Sequence, residues 1–225
     1  MLLHGYLASK ECFYWQIKYF SKFYRVTAFD FPGFGKSAPL KDAWSTQDYA
    51  EFTADFFRKK GLENVRLIAH SFGGRVALRL LANEPSLIGK ALLTGCAGVP
   101  PRRGLRYKLK VRTYRMVRKI APKFAERKFG SKEYRELSPI MRESYKKIVN
   151  EDLTPLLKEI KVPVLYVFGE KDSATPLYMA DILHKGTKDS GLAVMKGTTH
   201  FCFCEQPDLF NAIAREFFKT GEIVK

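Results

Sequence analysis

Short apolar runs alternate with amphipathic stretches along most of this chain, and that alternation constrains the fold more than any other feature. Val65-Arg-Leu-Ile-Ala69 reads as a strand, and Phe72 to Asn83 as a helix stopped by Pro85. Residues 24–29, 90–94, 162–168 and 192–195 read as further strands, with Pro163 near the start of its strand, where a missing donor does least harm. Ser45 to Lys60 reads as a helix, with Ser45 as N-cap, Asp48 in the first turn and Gly61 after the end. Thr175-Pro176 opens another helix, and Pro207 to Lys219 forms the closing one. Repeated strand–helix alternation predicts an α/β fold, a mainly parallel sheet with helices on both faces. From about Pro100 to Leu157 the signals are helical only. The expected organisation is therefore a core of residues 1–99 and 158–225 carrying a helical cap, 100–157.

The chain has 225 residues, 46% of them apolar and 28% charged. That suits one ordinary domain with an insertion and excludes disorder as the main state. No apolar run approaches the ~18 residues of a membrane span. Met1-Leu2-Leu3 runs straight into His4-Gly5 with no secretory pattern, so a cytoplasmic location is expected. Cys12, Cys96, Cys202 and Cys204 form no zinc pattern and are expected as free thiols.

The formal charge is +16, and most of it is local. Residues 101–130 hold twelve Lys or Arg and one acid, Glu126. Leu105, Leu109, Met116, Ile120 and Phe124 recur there at helical spacing, with Pro122 bending or ending the helix. The pattern is a basic amphipathic helix. It could cover an apolar surface, close over an anionic ligand or meet a membrane surface. Nucleic acid is disfavoured as a partner, because no helix-turn-helix, zinc-finger or RNA-binding signature accompanies the charge.

The sharpest local signal is Ile68-Ala69-His70-Ser71-Phe72-Gly73-Gly74. A strand ends and a helix begins around Ser71, on a turn that strains the serine backbone and needs small neighbours. This is the nucleophile-elbow pattern with Ala69 in place of the first glycine. Such a turn lifts the Ser71 hydroxyl above the sheet and aims the Phe72 N–H at the same spot from a helix N-terminus, where it can stabilise an oxyanion. A serine hydroxyl needs a base, and the base an orienting acid. Asp172 follows one strand in Gly169-Glu-Lys-Asp172, and His200 follows the next in Gly197-Thr-Thr-His200. Strand C-terminal ends share one edge of a parallel sheet, where open α/β folds bind ligands.

Leu3-His4-Gly5-Tyr6 follows an apolar stub, and Gly5 lets the Tyr6 N–H serve as a second oxyanion donor. His4, His70 and His184 read as structural. Asp30-Phe-Pro-Gly-Phe-Gly-Lys-Ser37 lacks the spacing of a phosphate-binding loop and reads as a tight loop at the site's edge.

Taken in order, His4-Gly5, Asp30-x-Pro-Gly-x-Gly-x-Ser37, His70-Ser71-Phe72-Gly73-Gly74, Gly169-Glu-Lys-Asp172 and His200-Phe201…Glu205-x-Pro207 resemble the α/β-hydrolase superfamily, nearest to small esterases and carbon–carbon bond hydrolases. The resemblance implies Ser71 as nucleophile, His200 as base and Asp172 as acid, with the N–H groups of Tyr6 and Phe72 as oxyanion hole and no metal or organic cofactor. A serine at the elbow sets the chain apart from relatives with aspartate there, such as epoxide hydrolases. Similar members carry two more strands before the His-Gly strand. Without them the edge at 24–29 is expected to be open, which invites a homodimer.

The function expected is that of a serine hydrolase acting on the carbonyl of a small-molecule ester, thioester or activated C–C bond, favouring anionic substrates. The alternative is a non-catalytic module of the same fold that binds a ligand, a partner or an anionic membrane through its basic cap.

Overall fold

The computed structural model describes residues 1–102, 134 and 136–219. Five parallel strands form one sheet in chain order: β1 (Leu2–Leu3), β2 (Val65–His70), β3 (Ile88–Thr94), β4 (Val164–Gly169) and β5 (Ser190–Met195). The central strands are apolar on both faces, as a covered parallel sheet requires. Period-two alternation divides them. Leu67, Ala69, Leu93, Tyr166 and Phe168 face one core, while Ile68, Leu92 and Val167 face the other.

The first core is covered by α2 (Thr46–Lys59), α3 (Phe72–Asn83) and α5 (Leu177–Gly186) through Tyr49, Phe57, Val76, Leu80 and Leu183. Helix α2 starts on a capping box in which the Ser45 hydroxyl accepts the Asp48 N–H and the Asp48 carboxylate accepts the Ser45 N–H. The second core is covered by α1 (Tyr14–Phe20), α6 (Cys202–Glu205) and α7 (Pro207–Lys219). It rests on fully buried rings, Phe13, Phe203 and Phe210. Each contributes about 1.5–3 kcal/mol by burial. One described helix of the expected cap, α4 (Pro139–Val149), starts on the Ser138 hydroxyl and packs Met141 and Ile148 onto the first core.

The fold class is the expected one, with two corrections in detail. Residues 24–29 do not form a strand: only Ala28 bridges Leu2, because β1 has two residues and offers one rung on that side. Residues 10–20, unassigned from the sequence, form a 3-10 turn at Lys10–Phe13 leading into α1. Most of the basic window, residues 103–130, lies outside the described residues, so its predicted helix does too. Among the described residues no helix is long and apolar enough to cross a membrane.

Candidate active site

The C-terminal ends of β1, β2, β4 and β5 deliver Tyr6, Ser71, Asp172 and His200 to one edge of the sheet. Ser71 joins β2 to α3 at φ 52°, a left-handed conformation unusual for a residue with a side chain. Such strain costs on the order of 1–3 kcal/mol and persists where neighbours over-determine it. Here the Ser71 N–H donates to the Thr94 carbonyl at 3.1 Å and its carbonyl accepts the Ala97 N–H at 3.2 Å, which lash the elbow to the end of β3. Gly73 is obligatory: a Cβ there would strike the Leu3 carbonyl oxygen and come within 2.8 Å of the His4 carbonyl oxygen.

His200 Nδ1 lies 2.8 Å from Asp172 Oδ2. A carboxylate accepts, so Nδ1 carries the proton and Nε2 presents a lone pair. Asp172 is itself held: its Oδ1 accepts the N–H groups of Ala174 and Thr175 at 2.8 Å, and its Oδ2 accepts the Thr175 hydroxyl at 2.7 Å. Burial pushes the Asp172 carboxyl up, but hydrogen bonds from His200 and Thr175 outweigh it, and the group sits below the ordinary aspartate range. The loop carrying His200 is pinned through Glu205, which accepts the Thr199 N–H at 2.8 Å, and through the Lys171 N–H, which donates to the Thr198 carbonyl at 2.8 Å. No hydrogen bond joins the Ser71 hydroxyl to His200.

Among the described residues the N–H groups of Tyr6 and Phe72 donate to no main-chain carbonyl, and both residues line the same cavity as Ser71, of about 200 Å³. The Tyr6 ring packs edge-on to Phe72 and Phe34, so the Asp30–Ser37 loop supports Tyr6. His4 is structural: its Nε2 accepts the Phe31 N–H at 2.9 Å. A second cavity of about 210 Å³ lies at the opposite ends of β1 and β2, beside Tyr24 and Arg66, away from Ser71.

Two neighbours have roles that the sequence did not announce. Thr175 braces Asp172; the signal available was Asp172-Ser-Ala-Thr175, an aspartate followed by N–H groups at the spacing of an Asx-turn. His70, next to Ser71 in the chain, packs its ring at a tilt of 52° against His200 with centroids 4.7 Å apart and donates Nε2–H to the His200 carbonyl at 3.1 Å. Burial first, then the adjacent His200, press its pKa down to about 3. An unfolded histidine takes up its proton near pH 6.5, whereas folded His70 waits until about pH 3. The unfolded state therefore binds more protons across that window, and acidification destabilises the fold. Between pH 7 and 5 this one group removes on the order of 2 kcal/mol. Urea midpoints at the two pH values should show a smaller acid loss in His70→Gln than in the native chain. An equal loss would show that His70 does not carry it.

Among the described residues no cluster of His, Cys, Asp and Glu could hold a metal ion.

A sequence model described as the alpha/beta hydrolase family matches residues 1–213. The pimeloyl-[acyl-carrier protein] methyl ester esterase of Neisseria meningitidis is 43% identical over 70 residues, 31% of this chain and 27% of that protein, so the alignment spans about a quarter of the relative's length. The AB hydrolase superfamily protein YisY of Bacillus subtilis is 26% identical over 96% of this chain and 90% of its own. An esterase from Exiguobacterium antarcticum has a similar structure, with a TM-score of 0.77 and 24% identity over 97% of this chain and 91% of that one. A match through residues 1–213 takes in every strand of the sheet and the loops that carry Ser71, Asp172 and His200, and on that ground the chain belongs to the alpha/beta hydrolase family.

Proposed function

We propose that the chain is a serine hydrolase that cleaves a small-molecule ester, thioester or activated C–C bond through an acyl-enzyme on Ser71. The observation that carries this reading is the 2.8 Å contact of His200 Nδ1 with Asp172, which leaves Nε2 available to act as the base. In the proposed sequence the Ser71 oxygen attacks the carbonyl carbon while His200 takes its proton. The oxyanion gathers the Tyr6 and Phe72 N–H groups, with the N-terminus of α3 behind them. His200 returns the proton to the leaving group, and water activated by the same imidazole then releases the acid. Asp172, ionised and anchored by Thr175, stabilises the imidazolium at each stage. The cap, 100–157, would shape the acyl pocket; within its described part Tyr145, Ile148 and Val149 line the cavity. The basic charge of residues 101–130 supports a preference for anionic substrates.

A fluorophosphonate probe tests this reading. The Ser71 oxygen displaces fluoride from phosphorus, so the native chain should label and Ser71→Ala should not. A folded native chain that takes no label would return the protein to a non-catalytic, ligand-binding role.

A further inference from the structure

The cavity beside Ser71 contains one charged side chain among the described residues, Arg75, and no acid. Arg75 lies one turn past the elbow on α3, about 6 Å along the helix axis from Ser71. It is 6% exposed. A buried guanidinium is normally met by a carboxylate, since an uncompensated charge in the interior is costly. Arg75 has no such partner among the described residues. Its Nη1 donates to the Glu151 carbonyl at 2.9 Å and its Nη2 to the Val149 carbonyl at 3.2 Å. The nearby Glu151 carboxylate pairs with Arg79 through Oε1, and no hydrogen bond joins its Oε2 to Arg75. Those two main-chain bonds orient the guanidinium plane at the C-terminal end of α4, where the helix dipole and the Glu151 and Asp152 charges offset part of its charge without a direct ion pair. Three of its five N–H donors remain for a ligand.

We propose that Arg75 is the carboxylate-recognition group of this pocket, and that the substrate's acyl portion ends in a carboxylate, as in a half-ester of a short dicarboxylic acid. The inference rests on the serine-hydrolase reading for its chemistry but not for its binding. With the acyl oxygen at the Phe72 N–H, an acyl chain running along the first turn of α3 brings its far end to Arg75. A planar fork matches a carboxylate with two parallel hydrogen bonds, which a lysine in this place would not. In the reaction the Ser71 oxygen forms its bond to the carbonyl carbon and the alkoxide leaves with the proton from His200. Water then frees the dicarboxylic acid, and the distal carboxylate stays on Arg75 throughout.

The test compares the mono-p-nitrophenyl ester of glutaric acid with p-nitrophenyl pentanoate, an uncharged ester of equal acyl length. The native chain should favour the half-ester in kcat/KM by at least tenfold. Arg75→Gln keeps a donor for the α4 carbonyls and removes the charge, so the half-ester to neutral-ester ratio should fall about thirty- to a hundredfold. Arg75→Lys, which keeps the charge without the fork, should recover part of the ratio. Calorimetry of free glutarate on Ser71→Ala reads recognition without catalysis: it should bind, and Ser71→Ala/Arg75→Gln should not. Equal losses on both esters, or glutarate binding that survives Arg75→Gln, would overturn the proposal and leave Arg75 as a clamp on α4 alone. If Arg75→Gln does not fold, a native chain with no preference for the half-ester and no glutarate binding overturns it equally. Glutarate binding without hydrolysis of either ester would sink the serine-hydrolase reading and keep this one.

Discussion

His200→Ala should lower kcat on a p-nitrophenyl ester by about 10⁴- to 10⁶-fold, because it removes the proposed base from a group expected to act as a unit. Asp172→Asn should cost about 10⁴-fold, since an amide in place of the carboxylate lets the imidazole take the wrong tautomer. The expectation is specific to Asp172, whose Oδ2 lies 2.8 Å from His200 Nδ1. The double variant should be barely worse than His200→Ala alone. Initial rates on purified, folded proteins decide the matter. A loss of less than tenfold in His200→Ala would exclude it as the base, and additive losses would mean that the two residues do not work together.

The second large effect is on the fold. Gly73→Val should leave little soluble protein, or lower the urea midpoint by the equivalent of more than about 3 kcal/mol. The reason is the close approach of the first turn of α3 to the carbonyls of Leu3 and His4, which no rotamer change relieves because both obstacles are backbone. Separating them would pull β1 from β2 and move the Tyr6 N–H away from Ser71. A Gly73→Val protein of native stability would show that α3 has room to retreat.

The sheet was legible in the sequence because β2, β3 and β4 are buried on both faces and bounded by Asn64, Gly95 and Pro163, while the half-exposed edge strand β5 is still a short apolar run ended by Gly197. That is why β2 to β5 stand within a few residues of where the pattern puts them. Helix α1 was not legible, because its inward face is not purely apolar. Gln16 sits fully buried between Phe13 and Phe20, and its Nε2 donates to the Phe203 carbonyl and to Asn211 Oδ1. A polar residue whose amide N–H groups are met only by groups nearly two hundred positions away breaks the hydrophobic period locally. Residues 24–29 show the reverse error. Their alternation is strand-like, but pairing depends on a neighbour, and β1 supplies a single rung. In the candidate site, Ser71, Asp172 and His200 announce themselves by residue type at strand ends. Thr175, His70 and Arg75 do not: the Asx-turn spacing hints at Thr175, but the contacts of His70 with His200 and of Arg75 with the cavity exist only in space.

Strand β1 is held to β2 by the pairs of Leu2 with Ile68 and Leu3 with Ala69, whereas β2 and β3 pair along six positions. Local opening costs least where a ladder is shortest. The half of the pocket that begins at Gly5 and Tyr6 therefore hangs on the part of the sheet quickest to fray. On warming, the amide donors should be lost from their place while the elbow serine still stands on its own strand, so thermal inactivation would run ahead of global melting.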